Sequence, residues 1–228
     1  MRFLVTNDDG IEAPGLAALE EIARGLGTAT VLAPVDAHSG CSHRVTTDRP
    51  LRLLEKGPGR FAVAGTPADC VRIALHDVLR EPSWVLAGVN AGGNLGADVH
   101  HSGTVAAVRE AVLHGRPGIA ISHYHKRGRP IDWTRAVRWT RPIVADLLSR
   151  PWIPGSFWNI NLPHLEPESR DPRVVFCPLD TTPLPLSFRR DGELWHYDGD
   201  YHQRPRTHGS DIDVCFRGDI AVSEIRLF

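Results

Sequence analysis

Four side chains that carry oxygen donors follow strand-like segments of the sequence. Asp8 and Asp9 come directly after the short apolar run Arg2–Thr6, Ser39 follows a second run, and Asn90 follows a third. In open α/β sheets, ligands bind beyond the carboxyl ends of the strands, so we expect these side chains at one edge of a sheet. Carboxylate, hydroxyl and amide oxygens suit Mg²⁺, Mn²⁺ or Ca²⁺, whereas zinc favours histidine and cysteine. The alternative that the two aspartates only form a turn remains open.

A glycine-rich segment and a helix start could together hold a phosphate group. Gly88–Gly96 follows a strand-like run but does not spell the dinucleotide pattern G-x-G-x-x-G, which argues against an NAD site. Its glycines would let backbone N–H groups approach an anion closely. Ser102, Gly103 and Thr104 then begin a predicted helix, whose N-terminus offers unpaired N–H groups and partial positive charge. Ser102 could equally be a plain helix cap, and His101 directly precedes it.

The sequence gives little support to other kinds of catalytic site. Among the 12 histidines, His123 and His125 alternate on a possible strand end, but no third ligand stands at a spacing typical of zinc. No nucleophile elbow of the form G-x-S-x-G is present. The four cysteines are too far apart in sequence for a zinc knuckle or a redox pair, and Cys70 occupies a packing position in a predicted helix. We therefore expect free thiols.

Composition and charge narrow the class of protein. The chain has 228 residues, of which 42% are hydrophobic and 23% charged, as is ordinary for a soluble globular protein. A formal net charge of -1 provides no strong field to hold a nucleic-acid backbone or an anionic membrane. We interpret the basic stretch at residues 126–129 as a solvated loop. Because no apolar run approaches ~18 residues and no leader is recognisable, we expect a cytoplasmic protein.

Strand-like and helix-like segments alternate through the first two thirds of the chain. This alternation predicts βαβ units and a Rossmann-like, doubly wound, mostly parallel α/β sheet. A hairpin is predicted around residues 57–59, between the runs 49–54 and 60–64. The other predicted strands are residues 2–6, 29–33, 84–87, 118–122 and 157–162, and helices are expected to begin near Pro14, Thr66, Ser102 and Asp132.

The composition changes in the C-terminal third. We predict a catalytic domain at residues 1–165 and a C-terminal extension at residues 166–228, with a hairpin and a returning strand. Asp191-Gly192 lies between two strand-like runs, which is a strong hairpin signal. An isolated hairpin is not stable in water, and the apolar side chains of this one need a surface to pack against. We expect pairing across a two-fold axis; the alternative is that the hairpin folds back on its own domain.

Five ordered motifs resemble those of the SurE family, the stationary-phase survival proteins that act as 5′(3′)-nucleotidases. The resemblance extends over roughly the first 122 residues and weakens beyond Ser122, where only residues 159–163 and 210–223 fit the family pattern. Five matches in the same order are far more specific than any one of them. The motifs are Thr6–Gly10 with Ala13–Gly15, Ala33-Pro34 with Ser39-Gly40, Gly65–Val71, Gly88–Gly96 and Ser102–Ala107.

The resemblance implies ligands, substrates and an assembly. Substrates would be nucleoside 5′- or 3′-monophosphates and, in some members, short polyphosphate, and the chain would form homodimers or homotetramers. We expect one divalent cation per subunit, Mg²⁺ or Mn²⁺. The positions that match the metal ligands are Asp8, Asp9, Ser39 and Asn90, of which the two aspartates are the catalytic residues. The positions that match the phosphate contacts are Asn94, Ser102, Gly103 and Thr104.

Three departures from the family pattern bear on these expectations. Residues 35–38 replace a usual Asp-Arg-rich approach to the serine, and Arg44 stands where a small or apolar residue is usual. These two could alter the substrate preference. The chain stops at Phe228, about where many members continue into a further helix, and this could alter the assembly.

We therefore predict a metal-dependent phosphomonoesterase, a 5′-nucleotidase that releases nucleoside and phosphate. The metal would polarise a phosphoryl oxygen and activate a water for direct attack on phosphorus. Attack by an aspartate, with a phosphoenzyme intermediate, is the alternative mechanism. Two other functions remain open: a metal-dependent sugar-nucleotide transferase, because paired aspartates also suit a diphosphate-bound ion, and a non-catalytic nucleotide-binding protein.

Overall fold

A nine-stranded, mostly parallel sheet forms the centre of the protein. The computed structural model describes residues 1–126 and 128–228. Only the pairs β3–β4 and β7–β11 are antiparallel. In spatial order, the strands are β3 (Leu53–Gly57), β4 (Arg60–Val63), β2 (Thr28–Pro34), β1 (Arg2–Thr6), β5 (Trp84–Asn90), β6 (Gly118–His123), β7 (Ser156–Leu162), β11 (Ile220–Arg226) and β8 (Val174–Phe176).

Helices cover both faces of this sheet, which confirms the predicted α/β class. α1 (Pro14–Leu26) and α4 (Trp133–Ser149) pack together on one face, and α2 (Pro67–Ile73) and α3 (Gly103–Leu113) pack together on the other. The strand β1 shows why the sequence places it between two layers. Phe3 and Val5 belong to the core under α1 and α4, whereas Leu4 belongs to the core under α2 and α3. A strand buried on both faces is apolar along its length.

The helix starts follow the predicted local chemistry. The Thr66 hydroxyl accepts a hydrogen bond from the Asp69 backbone N–H (3.2 Å), and the Asp69 carboxylate accepts one from the Thr66 N–H (3.0 Å). Pro67 occupies the first position of α2, where its missing N–H leaves no helical bond unmade. The Ser102 Oγ accepts from the Val105 N–H (3.1 Å) and so caps α3. These contacts fix where α2 and α3 begin.

The C-terminal segment adds strands to the central sheet and a separate hairpin. The returning strand is β11, which pairs antiparallel with β7 and parallel with β8. A short helix, α5 (Asp211–Phe216), precedes it; the sequence patterns predicted neither α5 nor β8. The hairpin consists of β9 (Phe188–Asp191) and β10 (Leu194–Tyr197), and all eight residues are exposed, so its strands do not fold back on their own domain. The division at residue 165 stays a prediction.

Element bounds differ from the predicted ones by a few residues. The largest difference is at the first hairpin, where β3 begins at Leu53 and not at Arg49. The strand β5 continues to Asn90, so this side chain is the last of the strand and does not follow it. Arg127, in the predicted basic loop, lies outside the described residues. None of the helices in residues 1–126 and 128–228 is long and apolar enough to cross a membrane.

Candidate active site

Asp8 is buried at the carboxyl end of β1 and has few compensating contacts. The Thr104 hydroxyl donates a hydrogen bond to Asp8 Oδ1. Only 4% of the Asp8 residue surface is exposed. The pKa of this carboxyl is raised to about 6, because burial and the charge of Asp9 outweigh the lowering effect of the Thr104 hydrogen bond. Asp8 is therefore a desolvated carboxylate beside a second carboxylate.

The turn after β1 is held by its own side chains. The Asn7 side chain bridges the turn, because its Nδ2 donates to the Gly10 carbonyl (2.9 Å) and its Oδ1 accepts from the Gly10 N–H (3.2 Å). The His38 N–H donates to the Asp8 carbonyl (2.7 Å), which ties the loop carrying Ser39 to the same turn. The Asn7 side chain and the His38 N–H thus fix together the turn that carries two predicted metal ligands and the loop that carries a third.

The remaining predicted metal ligands line one cavity with Asp8. This cavity has a volume of about 430 Å³, and Asp9, Ser39 and Asn90 contribute to its wall. The Asp9 Oδ2 accepts from the Ala91 N–H (3.1 Å). The Asn90 Nδ2 donates to the Gly92 carbonyl (2.8 Å), which leaves the amide oxygen of Asn90 as its available donor. The structure therefore brings all four predicted ligands together at one edge of the sheet.

This donor set fits a hard divalent cation. Two carboxylates, a hydroxyl and an amide oxygen are ligands that Mg²⁺ and Mn²⁺ accept, and two negative charges balance one such ion. Among the described residues, no arginine or lysine lines the cavity to balance these two negative charges. Across the described residues, no cluster of three or more His, Cys, Asp or Glu side chains could hold a metal, so a site here would depend on the serine and asparagine oxygens.

The predicted phosphate contacts divide into two groups. Asn94 and Ser102 line the cavity, whereas Gly103 and Thr104 are buried behind its wall. The hydroxyls of Ser102 and Thr104 already bond to the Val105 N–H and to Asp8. The first N–H groups of a helix have no intrahelical partner, so Gly103 and Thr104 could contact a phosphate only through their backbone. Phosphate binding by these residues stays a prediction.

Gly103 has a steric reason to be glycine. A Cβ atom at this position would lie 2.9 Å from both Cβ and Oδ2 of Asp8 and 3.0 Å from Cys41 Sγ. These separations are shorter than real Cβ contacts allow, so a larger residue would displace the Asp8 side chain. The start of α3 therefore lies too close to Asp8 to leave room for a side chain at position 103.

Two asparagines of β7, which the sequence motifs did not indicate as site residues, hold the glycine-rich loop. Asn161 Oδ1 accepts from the Asn94 N–H (2.8 Å), and the Nδ2 atoms of Asn159 and Asn161 donate to the Asn94 carbonyl (2.9 and 3.0 Å). The Asn94 Nδ2 donates to Ser122 Oγ (2.7 Å). Asn-x-Asn in a strand places both side chains on one face, which is the signal that could have indicated them.

The C-terminal segment also contacts the site, through Asp98 in the cavity wall. Arg204, only 3% exposed, donates from Nη1 to Asp98 Oδ1 (2.9 Å), and the Tyr201 hydroxyl donates to Asp98 Oδ2 (2.6 Å). The Arg204 Nη2 donates to the Leu95 carbonyl (3.2 Å). This ion pair joins residues 106 positions apart in sequence and holds the loop between Asn94 and Ser102.

The rejected alternatives have structural counterparts elsewhere. The His164 ring centroid lies 5.5 Å from that of His123 and 5.4 Å from that of His125, but the His123 Nδ1 bonds to the Tyr124 carbonyl (2.8 Å). Burial lowers the pKa of His123 to about 4, so it stays neutral at neutral pH. All four cysteines are free, and Cys70 is buried in the core, as predicted.

Comparison with known proteins gives a consistent set of relatives. A family model described as "Survival protein SurE" matches residues 3–181. A chain of Nostoc sp. (strain PCC 7120 / SAG 25.82 / UTEX 2576), named as a candidate 5′-nucleotidase, is 51% identical over 227 residues and covers 100% of both chains. The 5′-nucleotidase SurE of Methylobacterium sp. (strain 4-46) is 40% identical over 238 residues, 100% of this chain and 94% of its own. The crystal structure of the SurE protein from Aquifex aeolicus has a TM-score of 0.88 at 28% identity, and the match covers 100% of this chain and 94% of that chain.

Proposed function

The chain belongs to the SurE family, and on that premise we propose that it is a divalent-metal-dependent 5′-nucleotidase. It would hydrolyse nucleoside 5′- or 3′-monophosphates to nucleoside and inorganic phosphate. The names of its relatives support the reaction class. One observation carries the metal dependence: Asp8 is a buried carboxylate beside a second carboxylate, in the wall of a cavity that no described lysine or arginine lines.

Charge supports a cation in this cavity. A phosphate monoester is an anion, and the carboxylates of Asp8 and Asp9 would repel it from the cavity that they line. A divalent cation, when bound, would polarise a phosphoryl oxygen and lower the pKa of a bound water. Asp8, Asp9, Ser39 and Asn90 would hold this cation, and the substrate phosphate would lie between it and the start of α3.

The contacts of the aspartates favour water as the nucleophile. Asp8 Oδ1 accepts from Thr104, its Oδ2 lies against Gly103, and Asp9 Oδ2 accepts from the Ala91 N–H. Because a nucleophilic carboxylate must leave such contacts to bond to phosphorus, side chains fixed in this way are better suited to ligand roles. Direct attack by water inverts configuration at phosphorus, whereas a phosphoaspartate route retains it.

A comparison of two substrates and two metal conditions tests the proposal. AMP and p-nitrophenyl phosphate are incubated with the purified protein in Mn²⁺ or in EDTA. We expect phosphate release from both in Mn²⁺ and none in EDTA. Binding of AMP without hydrolysis would instead indicate a nucleotide-binding protein, and activity only on a nucleotide sugar with an acceptor would indicate a transferase.

The stereochemical course tests the nucleophile separately. A chiral, isotopically labelled phosphorothioate monoester should be hydrolysed with inversion. Retention, or a phosphoaspartate that hydroxylamine traps, would make Asp8 or Asp9 the nucleophile. This result would leave the metal-dependent nucleotidase intact and change only its mechanism.

The assembly proposed for this enzyme is a homodimer or homotetramer formed through the hairpin β9–β10. Trp195 and Leu194 are each 63% exposed, and Phe188 and Tyr197 are each 51% exposed. An exposed apolar surface of this kind is typical of an interface. Light scattering at micromolar concentration should give at least twice the 25.1 kDa of one chain. A Trp195→Ser, Tyr197→Ser variant should shift towards the monomer, and a monomeric wild type would contradict the assembly.

A further inference from the structure

One ionisable ring in the cavity wall has no role in the proposed site. His101 lines the same cavity as Asp8, Asp9 and Asp98. Its backbone is fixed, because its N–H donates to the Asp98 carbonyl (3.0 Å) and its carbonyl accepts from the Ser42 N–H (3.1 Å). The residue is exposed, and within the described residues its imidazole makes no hydrogen bond or ion pair. His101 is thus a positioned residue with a free side chain.

The proposed reaction needs a proton that the other ionisable side chains of the cavity are not free to give. When the bond between phosphorus and the nucleoside oxygen breaks, that oxygen leaves as a strongly basic alkoxide unless it is protonated. In the proposed site, Asp8 and Asp9 bind the cation. The two oxygens of Asp98 accept hydrogen bonds from Arg204 and Tyr201. Histidine is the side chain that carries a transferable proton near neutral pH. Of the four ionisable side chains that the described part of the chain contributes to this wall, His101 alone is free to give a proton.

We propose that His101 is a catalytic residue, the general acid that protonates the leaving nucleoside oxygen. The inference rests on the proposed function. Water adds to phosphorus, the bond from phosphorus to the nucleoside oxygen breaks, and its electron pair stays on that oxygen. The imidazolium of His101 gives a ring N–H proton to the oxygen, so the nucleoside leaves with a hydroxyl group. The neutral imidazole regains its proton from solvent, which receives the proton released by the attacking water.

The dependence on the leaving group separates this role from phosphate binding. p-Nitrophenolate is a stable anion that departs without a proton, whereas the alkoxide of AMP does not. Removing a positioned general acid slows a reaction that needs it by about 10²-fold or more. We therefore expect His101→Gln to lower kcat for AMP by about 10²-fold and to leave p-nitrophenyl phosphate hydrolysis within about twofold of the wild type.

The adjacent histidine provides a matched control. His100 is exposed like His101 but does not line the cavity. His100→Gln should hydrolyse both substrates at the wild-type rate. Inhibition by inorganic phosphate should be equal in the wild type and in both variants, because the proposed acid contacts the leaving oxygen and not the phosphate. In His101→Ala, added imidazole should partly restore AMP hydrolysis, which a purely structural residue would not allow.

Each outcome decides one of the two proposals. Equal losses on AMP and p-nitrophenyl phosphate, or weaker inhibition by phosphate, would make His101 a phosphate contact and overturn the general-acid role. Unchanged AMP hydrolysis in His101→Gln would also overturn it. Wild-type protein that is inactive on both substrates in Mn²⁺ would instead refute the proposed function.

Discussion

Two buried carboxylates lie at helix α3, and their hydrogen-bond partners and neighbouring charges differ. Asp8 contacts the start of the helix, and Glu110 belongs to the helix itself. The Glu110 carboxylate accepts from His43 Nε2 (2.7 Å), His114 Nε2 (3.0 Å) and Arg72 Nη1 (3.3 Å). Burial by itself raises the pKa of Glu110, but the hydrogen bonds and charges of His43 and His114 outweigh it, and the net pKa is lowered. Asp8 has the opposite shift.

This difference in surroundings is the one we expect between a structural carboxylate and a carboxylate that binds a ligand. The protein compensates the charge of Glu110 with its own side chains, so this residue needs no ligand. A buried charge without such partners destabilises the fold, and sites that bind cations or substrates are where this is tolerated. Asp8 meets that description, with one hydroxyl and a neighbouring carboxylate.

If the site were chosen by cavity volume, the choice would be the cavity beside the partners of Glu110 and not the one at Asp8. A cavity of about 470 Å³, slightly larger than that at Asp8, is lined by Arg72 and His114, two of the partners of Glu110. Asp69, also in its wall, accepts from the Thr46 N–H (2.8 Å) and hydroxyl (2.7 Å). Arg72 and His114 in its wall are paired with Glu110, and the Asp69 carboxylate is hydrogen-bonded, so uncompensated charge and not volume is our ground for choosing the candidate site at Asp8.

Removing the charge of Asp8 should have the largest effect on catalysis. Asp8→Asn should lower the rate of AMP hydrolysis in Mn²⁺ by at least about 10²-fold, as for loss of one group that stabilises the transition state. Calorimetry should show weaker Mn²⁺ binding. Because the buried charge is removed, the metal-free variant should unfold at no lower urea concentration than the wild type. Full activity of Asp8→Asn in EDTA would contradict the proposed metal dependence of the reaction.

A methyl group at Gly103 should disturb Asp8 indirectly. The Cβ of Gly103→Ala would lie 2.9 Å from the Asp8 Oδ2, so this carboxylate must move. Misplacement of a catalytic group by about 1 Å can slow a reaction as much as 10²-fold, and we expect a loss between about 10- and 10²-fold. Gly25→Ala, where the nearest atom is 3.4 Å away on the Arg141 side chain, is the control. Equal rates in the two variants would contradict the close approach.

Breaking the ion pair of Arg204 should have a smaller effect on rate and a clear one on stability. Arg204→Met leaves Asp98 with a buried, partly unpaired charge, and loss of one partner of a buried pair destabilises by about 3 kcal/mol. Because Asp98 holds the loop between Asn94 and Ser102, kcat/KM should fall by about 10-fold. Arg80→Met, whose arginine is 72% exposed and pairs with an Asp77 side chain that is 70% exposed, should change neither quantity. An Arg204→Met enzyme that is as stable as the wild type but binds the metal differently would contradict the structural role assigned to Arg204.

Glu110→Gln should leave the rate unchanged and alter the dependence of stability on pH. The folded-state pKa of Glu110 is lowered from 4.5, so its contribution is present above that pH and is lost as pH falls through the folded value. The neutral variant should unfold more easily at pH 7, by about 1–2 kcal/mol, because two of the partners are half exposed. In urea titrations, the wild type and Glu110→Gln should differ in stability at pH 7, and their stabilities should converge at pH 3. A large loss of kcat would place Glu110 in the catalytic site.

The sequence alone determined the features that depend on neighbours along the chain. Thr66 and Ser102 cap their helices because a cap needs only a hydroxyl three residues before a free N–H. Alternation of apolar segments fixed the α/β class, and the position of Asp8, Asp9 and Ser39 at strand ends fixed the edge at which the site lies. Which metal binds there, and whether the hairpin pairs two chains, stay predictions.

Only the tertiary structure decided which distant residues complete the site. The Thr104 hydroxyl meets Asp8 across 96 positions, and Asn161 meets Asn94 across 67. Local patterns could not reveal these contacts, because they depend on which strands become neighbours and how closely α3 approaches β1. The same reason explains why, among the described residues, Asp8 has no cationic partner while Glu110 bonds to Arg72 and His43, which lie 38 and 67 positions away in sequence.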